Sequence, residues 1–226
     1  WKERWGMATE VWCCSRFLIL GICVKVAIVD YGMGNMRSIA SALKYINVRD
    51  IVISSNEKEL SKADKFILPG VGSFGSAMKL IKGRGLDATL NELIMQQEKP
   101  VLGICLGMQL LGISSDEDGV NQGLGFIDGV VDVFDDENVT VPHVGFNQVA
   151  LKHPSLLYKD MQDTLDFYFV HSHKMTANSD IGQSFCDYDE SFVASFERGN
   201  IAGTQFHPEL SQKNGLGVLK NFLELF

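Results

Sequence analysis

The sequence predicts an α/β fold: an open, largely parallel twisted sheet flanked by helices, with antiparallel strands added in its second half. Three observations carry this. Short apolar runs bounded by Gly, Pro or Asp recur in the first half, too short for helices. Between them lie segments whose apolar residues repeat at helical spacing. Beyond Gly112 the helical segments fall away and short strands follow one another. Strands alternating with helices imply βαβ crossovers and a parallel sheet, which places ligands at the carboxyl ends of the strands.

Val24 to Val29 is a β-branched run that meets a tight turn at Asp30-Tyr31-Gly32-Met33-Gly34-Asn35. Met36, Ile39, Leu43 and Ile46 then give a first helix. Ile51-Val52-Ile53 is a second strand, and Lys65-Phe66-Ile67-Leu68 a third that runs into Pro69-Gly70-Val71-Gly72-Ser73-Phe74-Gly75. Helical patterns fill Ser76 to Gln97, broken at Gly83-Arg84-Gly85. Val101 to Ile104, entered from Pro100, is a fourth buried strand. In the second half strands are expected at Gly129–Val133, Phe146–Leu151, Asp166–Val170, Phe192–Phe196 and Ile201–Phe206. The chain closes with a helix carrying Leu216, Leu219, Leu223 and Phe226 on one face, opposite Lys220 and Glu224.

The 226 residues suit one domain, expected over 24–226, and a formal charge of −8 with dispersed Lys and Arg argues against nucleic acid as a partner. A chain of this length buries about 70–75 % of its unfolded surface and needs no disulfide or metal to fold. Cys13, Cys14, Cys23, Cys105 and Cys186 fall at spacings that fit neither a disulfide framework nor a zinc site, so the chain reads as cytoplasmic and reduced. Residues 1–23 stand apart, with three tryptophans and three cysteines; their apolar stretch breaks at Lys25, too short to cross a bilayer. The expectation is that Val24 marks the natural start and that 1–23 is an extension, with an added edge strand or helix as the alternative.

The chemistry concentrates after the fourth strand. Gly103 and Gly107 bracket Cys105 as G-x-C-x-G, and Leu106, Leu110 and Ile113 follow at helical spacing. That is the layout of a nucleophile elbow with cysteine in the serine position. Small flanking residues suit a cramped strand-to-helix turn, and the start of a helix favours a thiolate. A buried structural cysteine is the competing reading. A base would have to come from elsewhere, and His207-Pro208-Glu209 offers one. Two residues apart in extended backbone, His207 and Glu209 point the same way, so the carboxylate can hold the imidazole's tautomer as the third member of a triad does.

Two other motifs carry less. Gly70 to Gly75 matches G-x-G-x-x-G after a strand, which invites a dinucleotide reading, but it follows the third strand and has no strand-terminal acid about twenty residues on. Backbone N–H groups of Gly70 to Gly72 are better suited to a small anion or a developing oxyanion. Asp116-Glu117-Asp118-Gly119 hints at a calcium loop, yet Ser114 and Gly125 stand where carboxylates are needed, and a solvated loop is expected. His171-Ser172-His173 has no cysteine or acid at ligand spacing, so no metal is expected.

Gly-Ile-Cys105-Leu-Gly-Met-Gln together with Gln205-Phe206-His207-Pro208-Glu209 resembles the class I, triad-type glutamine amidotransferases. Val29-Asp30-Tyr31-Gly32-Met33-Gly34-Asn35, Leu68-Pro69-Gly70-Val71-Gly72, Pro142-His143-Val144-Gly145-Phe146-Asn147 and Phe169-Val170-His171-Ser172 narrow the resemblance. They are similar to the glutaminase subunits of imidazole glycerol phosphate synthase, over Val24 to the C-terminus.

The resemblance implies that Cys105 attacks the glutamine side-chain amide, His207 moves the proton and Glu209 orients His207. It implies an oxyanion hole from the backbone N–H of Val71 or Gly72 and of Leu106. It also implies a glutamine site involving Gly70, Gln109, His171 and Ser172. No cofactor is implied. Ammonia would pass to a (β/α)8-barrel cyclase subunit, as a heterodimer, with Pro69–Gly72 responding to that partner.

Phe146 where tryptophan is usual, and His173 where an aromatic is common, depart from the pattern. A similar branch supplies ammonia for amidating surface-polysaccharide sugars and stays open at this point. A lone Cys-His esterase or peptidase and a dinucleotide-binding module are the readings from other classes.

Overall fold

The computed structural model describes residues 24–134, 139–161 and 164–226, so the expected extension at 1–23 lies outside the described residues. Its first half follows the alternation expected from the pattern. The elements are β1 (Lys25–Val29), α1 (Met36–Tyr45), β2 (Asp50–Ser54), α2 (Glu57–Leu60), β3 (Lys65–Leu68), α3 (Phe74–Gly83), α4 (Leu86–Leu90), β4 (Val101–Ile104) and α5 (Leu106–Leu110). The helical region ahead of β4 breaks at the Gly83–Gly85 segment and ends in a π turn, Asn91–Gln96.

The second half contains β5 (Ser114–Ser115), β6 (Asn121–Gln122), β7 (Gly129–Val133), β8 (His143–Gln148), β9 (Ala150–Leu151), β10 (Asp166–His171), β11 (His173–Ala177), β12 (Ser184–Tyr188), β13 (Glu190–Arg198) and β14 (Ile201–Thr204). A 3-10 turn, Pro208–Leu210, and α6 (Gln212–Leu225) complete the chain.

The main sheet has the order β2-β1-β3-β4-β14-β13-β12-β9. β2, β1, β3, β4 and β14 are parallel neighbours, and β13, β12 and β9 extend the β14 side antiparallel. The expectation that the later strands all add to this sheet needs correcting. β8 and β10 form a separate antiparallel pair, and β11, β7, β5 and β6 form a separate four-stranded sheet.

Two of the departures from the expected strands have a visible cause. The strand expected from Phe146 begins at His143, because that buried position carries an imidazole rather than an apolar side chain. β12 does not stand out in the sequence because its buried positions are Ser184 and Cys186, which break the visible alternation.

Period-two alternation in the central strands builds two cores. Ala27, Val29, Phe66, Leu68 and Val101 face α3 and α4 through Phe74, Met78, Ile81 and Leu90. Val26, Ile28, Ile67, Leu102 and Ile104 face α1 and α6 through Ile39, Leu43, Val218, Leu219 and Phe222. The α6 stripe is thus centred on Val218, Leu219 and Phe222, with Leu216 and Phe226 at its edge. Buried Lys65 on β3 donates to the carbonyls of Phe222 and Phe226, taking up acceptors that the end of α6 leaves open. Because β4 and β14 are adjacent and parallel, both deliver their carboxyl ends to one rim, and Cys105 and His207 follow these two strands.

Candidate active site

Cys105 sits between β4 and α5 with φ 54° and ψ −114°, a conformation that L residues rarely adopt. Packing enforces it. A Cβ on Gly107 would lie 1.8 Å from the Leu68 carbonyl oxygen, and one on Gly103 would lie 2.7 Å from Met108 Cα. The bracketing positions admit only glycine, so the elbow read from the sequence is present. The Cys105 N–H donates to the Thr204 carbonyl at 2.7 Å, tying the bend to β14.

His207 meets Glu209 on that same rim, with Nδ1 and Oε1 3.0 Å apart. Their approach differs from the expected one. His207 is extended, but Glu209 lies in the 3-10 turn, so the carboxylate reaches the ring by a turn rather than by strand alternation. Ser211, unremarked in the sequence, fixes that turn. Its hydroxyl donates to the His207 carbonyl at 2.6 Å and accepts from the Tyr168 N–H at 2.9 Å. A serine ahead of a helix reads as an N-cap, yet it makes no capping bond to α6; only its place beside the His-Pro-Glu turn could have signalled the role.

Cys105 and His207 are 6 % and 4 % exposed. His207 Nε2 is buried with no hydrogen-bond partner of ordinary geometry among the described residues. Burial by itself would lower the His207 pKa, but Cys105 beside it and Glu209 behind it push it up to about 10. A proton is therefore well held on this imidazole, and the arrangement can keep a thiolate and an imidazolium side by side.

His171 is driven the other way. Its Nδ1–H donates to the His173 carbonyl at 2.8 Å, and its Nε2 accepts from His143 Nδ1–H at 3.0 Å. His143 Nε2 in turn accepts from the Asn147 amide at 2.9 Å. A carbonyl can only accept, so every tautomer in this chain follows from its far end. Burial lowers His171 to about 3 and His143 to about 4, leaving both neutral at ordinary pH.

With both nitrogens committed, the His171 ring has no hydrogen bond left for a ligand. Gln109 is similarly engaged, its Nε2 donating to the His173 carbonyl at 3.0 Å and to Gln205 Oε1 at 2.9 Å. Ser172 is half-buried between β10 and β11.

The segment after β3 closes over the elbow. A Cβ on Gly70 would stand 2.6 Å from the Gly107 nitrogen and 2.8 Å from the Tyr31 hydroxyl. The Gly70 spacing thus presses this loop onto α5, which leaves no space there for a pyrophosphate. The Tyr31 hydroxyl donates to the Pro69 carbonyl at 2.7 Å. Burial, and then the nearby Cys105 charge, push this hydroxyl above its ordinary pKa.

Val71 is exposed, and Gly72 has φ +97°, a conformation that favours glycine. No carbonyl accepts from the N–H groups of Val71, Gly72 or Leu106 among the described residues. The calcium-loop candidate is otherwise engaged: Glu117 accepts from the Phe74 N–H at 2.7 Å, at the start of α3. No cluster with metal-ligand geometry occurs among the described residues, and no described helix is long and apolar enough to cross a membrane.

The model of the glutamine amidotransferase class-I family matches residues 27–225. The imidazole glycerol phosphate synthase subunit HisH 1 of Campylobacter jejuni is 44 % identical over 201 residues, 88 % of this chain and all of that protein. The HisH subunit of Aquifex aeolicus is 40 % identical over 200 residues, covering 88 % of this chain and 96 % of its own length.

Among solved structures, a glutamine amidotransferase superposes with TM-score 0.68 at 16 % identity, covering 88 % of this chain and 97 % of that one. PurLQS from Thermotoga maritima gives 0.68 at 18 % identity with the same coverage. These likenesses show the fold. With the family model across nearly all of the described chain and relatives above 40 % identity along their full length, the chain belongs to the class I glutamine amidotransferases, among the imidazole glycerol phosphate synthase HisH subunits.

Proposed function

We propose that Cys105, His207 and Glu209 hydrolyse glutamine to glutamate and ammonia, and that the ammonia goes to a (β/α)8-barrel cyclase subunit for imidazole formation in histidine biosynthesis. The observation that carries this is the opposition, at one sheet rim, of a strained elbow thiol and an imidazole whose proton is held by that thiol and by Glu209.

The thiol proton passes to His207, and the sulfur adds to the glutamine amide carbon. His207 then protonates the departing ammonia, leaving a γ-glutamyl thioester that water cleaves with His207 as base. Oxyanion charge would be taken by the N–H of Leu106 and of Val71 or Gly72, each such donor being worth about 3–4 kcal/mol. Gly72 gives its peptide the backbone freedom to turn toward that oxygen.

The relatives it matches are named as subunits of a synthase, which supports a synthase site on a second protein. Residues 24–226 are read as that amidotransferase unit. Val144, Phe146 and Val170 are exposed on the β8–β10 pair beside the site, an apolar face suited to such a protein.

The test is glutamate production with and without the barrel subunit. Cys105→Ala should abolish it in the presence of the subunit while leaving the two chains associated. Retained turnover in that variant, or strong hydrolysis of a simple ester by the chain alone, would overturn the proposal.

A further inference from the structure

The first residue after β14 has gone without a role. Gln205 is fully buried, its backbone N–H bonds the Ala194 carbonyl at 2.8 Å, and its side-chain Nε2 lies 3.7 Å from Cys105 Sγ, within reach for a donor to sulfur. We propose that Gln205 is a catalytic residue whose amide N–H stabilises the Cys105 thiolate, and that Gln109 is the positioning residue that keeps this N–H, rather than the amide oxygen, facing the sulfur. The proposal rests on Cys105 being the nucleophile.

An amide side chain can present either end, so the orientation has to be argued from its partners. The His173 carbonyl only accepts, and the Gln109 atom 3.0 Å from it must therefore be the amide nitrogen. That nitrogen has a second hydrogen, and it points to Gln205 Oε1 at 2.9 Å. With its oxygen taken, Gln205 has only its NH₂ to turn toward the sulfur.

The far anchor is equally constrained. The His173 carbonyl also receives His171 Nδ1–H, which fixes that ring's tautomer and leaves its Nε2 to accept from His143. An unbroken series of hydrogen bonds thus runs from the β8 strand to the nucleophile, and reversing any one amide would bring two acceptors together.

The sulfur needs such a donor. The Val170 carbonyl oxygen is 3.8 Å away, where it can accept from the thiol but repels a thiolate. The titratable groups around Cys105 are His207 with Glu209 from the turn after β14 and Tyr31 from the turn after β1, with His171 from β10 acting on His207. Tyr31 spends its hydroxyl on Pro69 and His171 spends both nitrogens elsewhere. Gln205 is then the neutral donor that offsets the Val170 carbonyl. In the step itself the S–H bond breaks, its electron pair stays on sulfur and the proton goes to His207. The Gln205 N–H stays intact throughout.

The experiment is the pH dependence of iodoacetamide alkylation of the full chain, read by mass on the Cys105 peptide. Gln205→Met keeps volume and removes the donor. Its alkylation midpoint should rise by about one pH unit or more, the size expected from losing a hydrogen bond to a charged group. Gln109→Met frees the Gln205 amide to reverse and should move the midpoint the same way by less. This second variant tests the idea even if Gln205→Met fails to fold. Midpoints unchanged or lowered in the variants that fold would overturn the proposal. Alkylation needs no glutamine, so this failure is distinct from glutaminase activity surviving in Cys105→Ala.

Discussion

Two buried imidazoles, near enough for the charge of one to bear on the other, are driven to opposite charge states. His207 is pushed up to about 10 and His171 down to about 3, although both are nearly inaccessible to water. Desolvation acts on both in the same direction, against charge. What differs is the partner. His207 has a carboxylate on one nitrogen and the thiol beside the other, whereas His171 has a neutral carbonyl and a second neutral imidazole. One half of the site is therefore built to carry charge, and the other to carry hydrogen-bond direction without it.

The largest effect should come from removing the charge that separates them. Glu209→Gln preserves shape but leaves His207 without its anion, and kcat for glutamine should fall about 10³–10⁴-fold, as loss of the orienting acid does in related triads. The His207 ring should lose its proton at a lower pH than in the unaltered protein, followed by NMR of the labelled imidazole. Equal titration in both proteins would mean that Glu209 is not what sets His207 apart.

His143→Phe tests the neutral half. The ring of His143 stacks on Tyr188 at 3.9 Å and on Phe169 at 4.9 Å, so phenylalanine keeps the packing and deletes the donor to His171 together with the acceptor of the Asn147 amide. A buried acceptor left without its donor costs about 1–3 kcal/mol. We expect lower thermal stability and a kcat reduced about tenfold, from loosened hydrogen bonds leading to Gln109.

The pH dependence of unfolding separates the halves further. A histidine lowered in the folded state adds stability that is present above its unfolded pKa of about 6.5 and is lost as pH falls toward 3–4. His207, raised when folded, adds stability that is present below about 6.5 and is lost as pH climbs through about 10. In His143→Phe the acid-side decline in Tm should flatten while the alkaline side stays as it was.

These halves were unequally legible in the sequence. G-x-C-x-G and His-Pro-Glu are local patterns, each with a steric or electrostatic reason confined to a few neighbouring residues, so Cys105, His207 and Glu209 stand out from the sequence as candidates. The Gln205–Gln109–His173 connection joins the residue after β14 to α5 and β11, and nothing in a linear pattern says which amide meets which carbonyl. The parallel strands were readable from continuous apolar runs such as Val101 to Ile104. β8 and β12 were harder, because their buried positions hold His143, Ser184 and Cys186, which pack and bond well but do not look apolar.

Asn147→Ala should have the smallest effect, and it tests how far the neutral chain extends. Asn147 is half-buried on β8, and its amide supplies the hydrogen that His143 Nε2 accepts. Deleting it leaves that nitrogen open to a water molecule, which can donate in its place. The tautomers of His143 and His171 are still dictated by the His173 carbonyl at the other end. We therefore expect kcat to change by less than about threefold and the His171 ¹⁵N shifts to keep their Nδ1–H signature. A loss as large as that of His143→Phe would place control of the chain at its exposed end. A protein seated on the Val144–Phe146 face could then act on the nucleophile through Asn147 without touching the charged half.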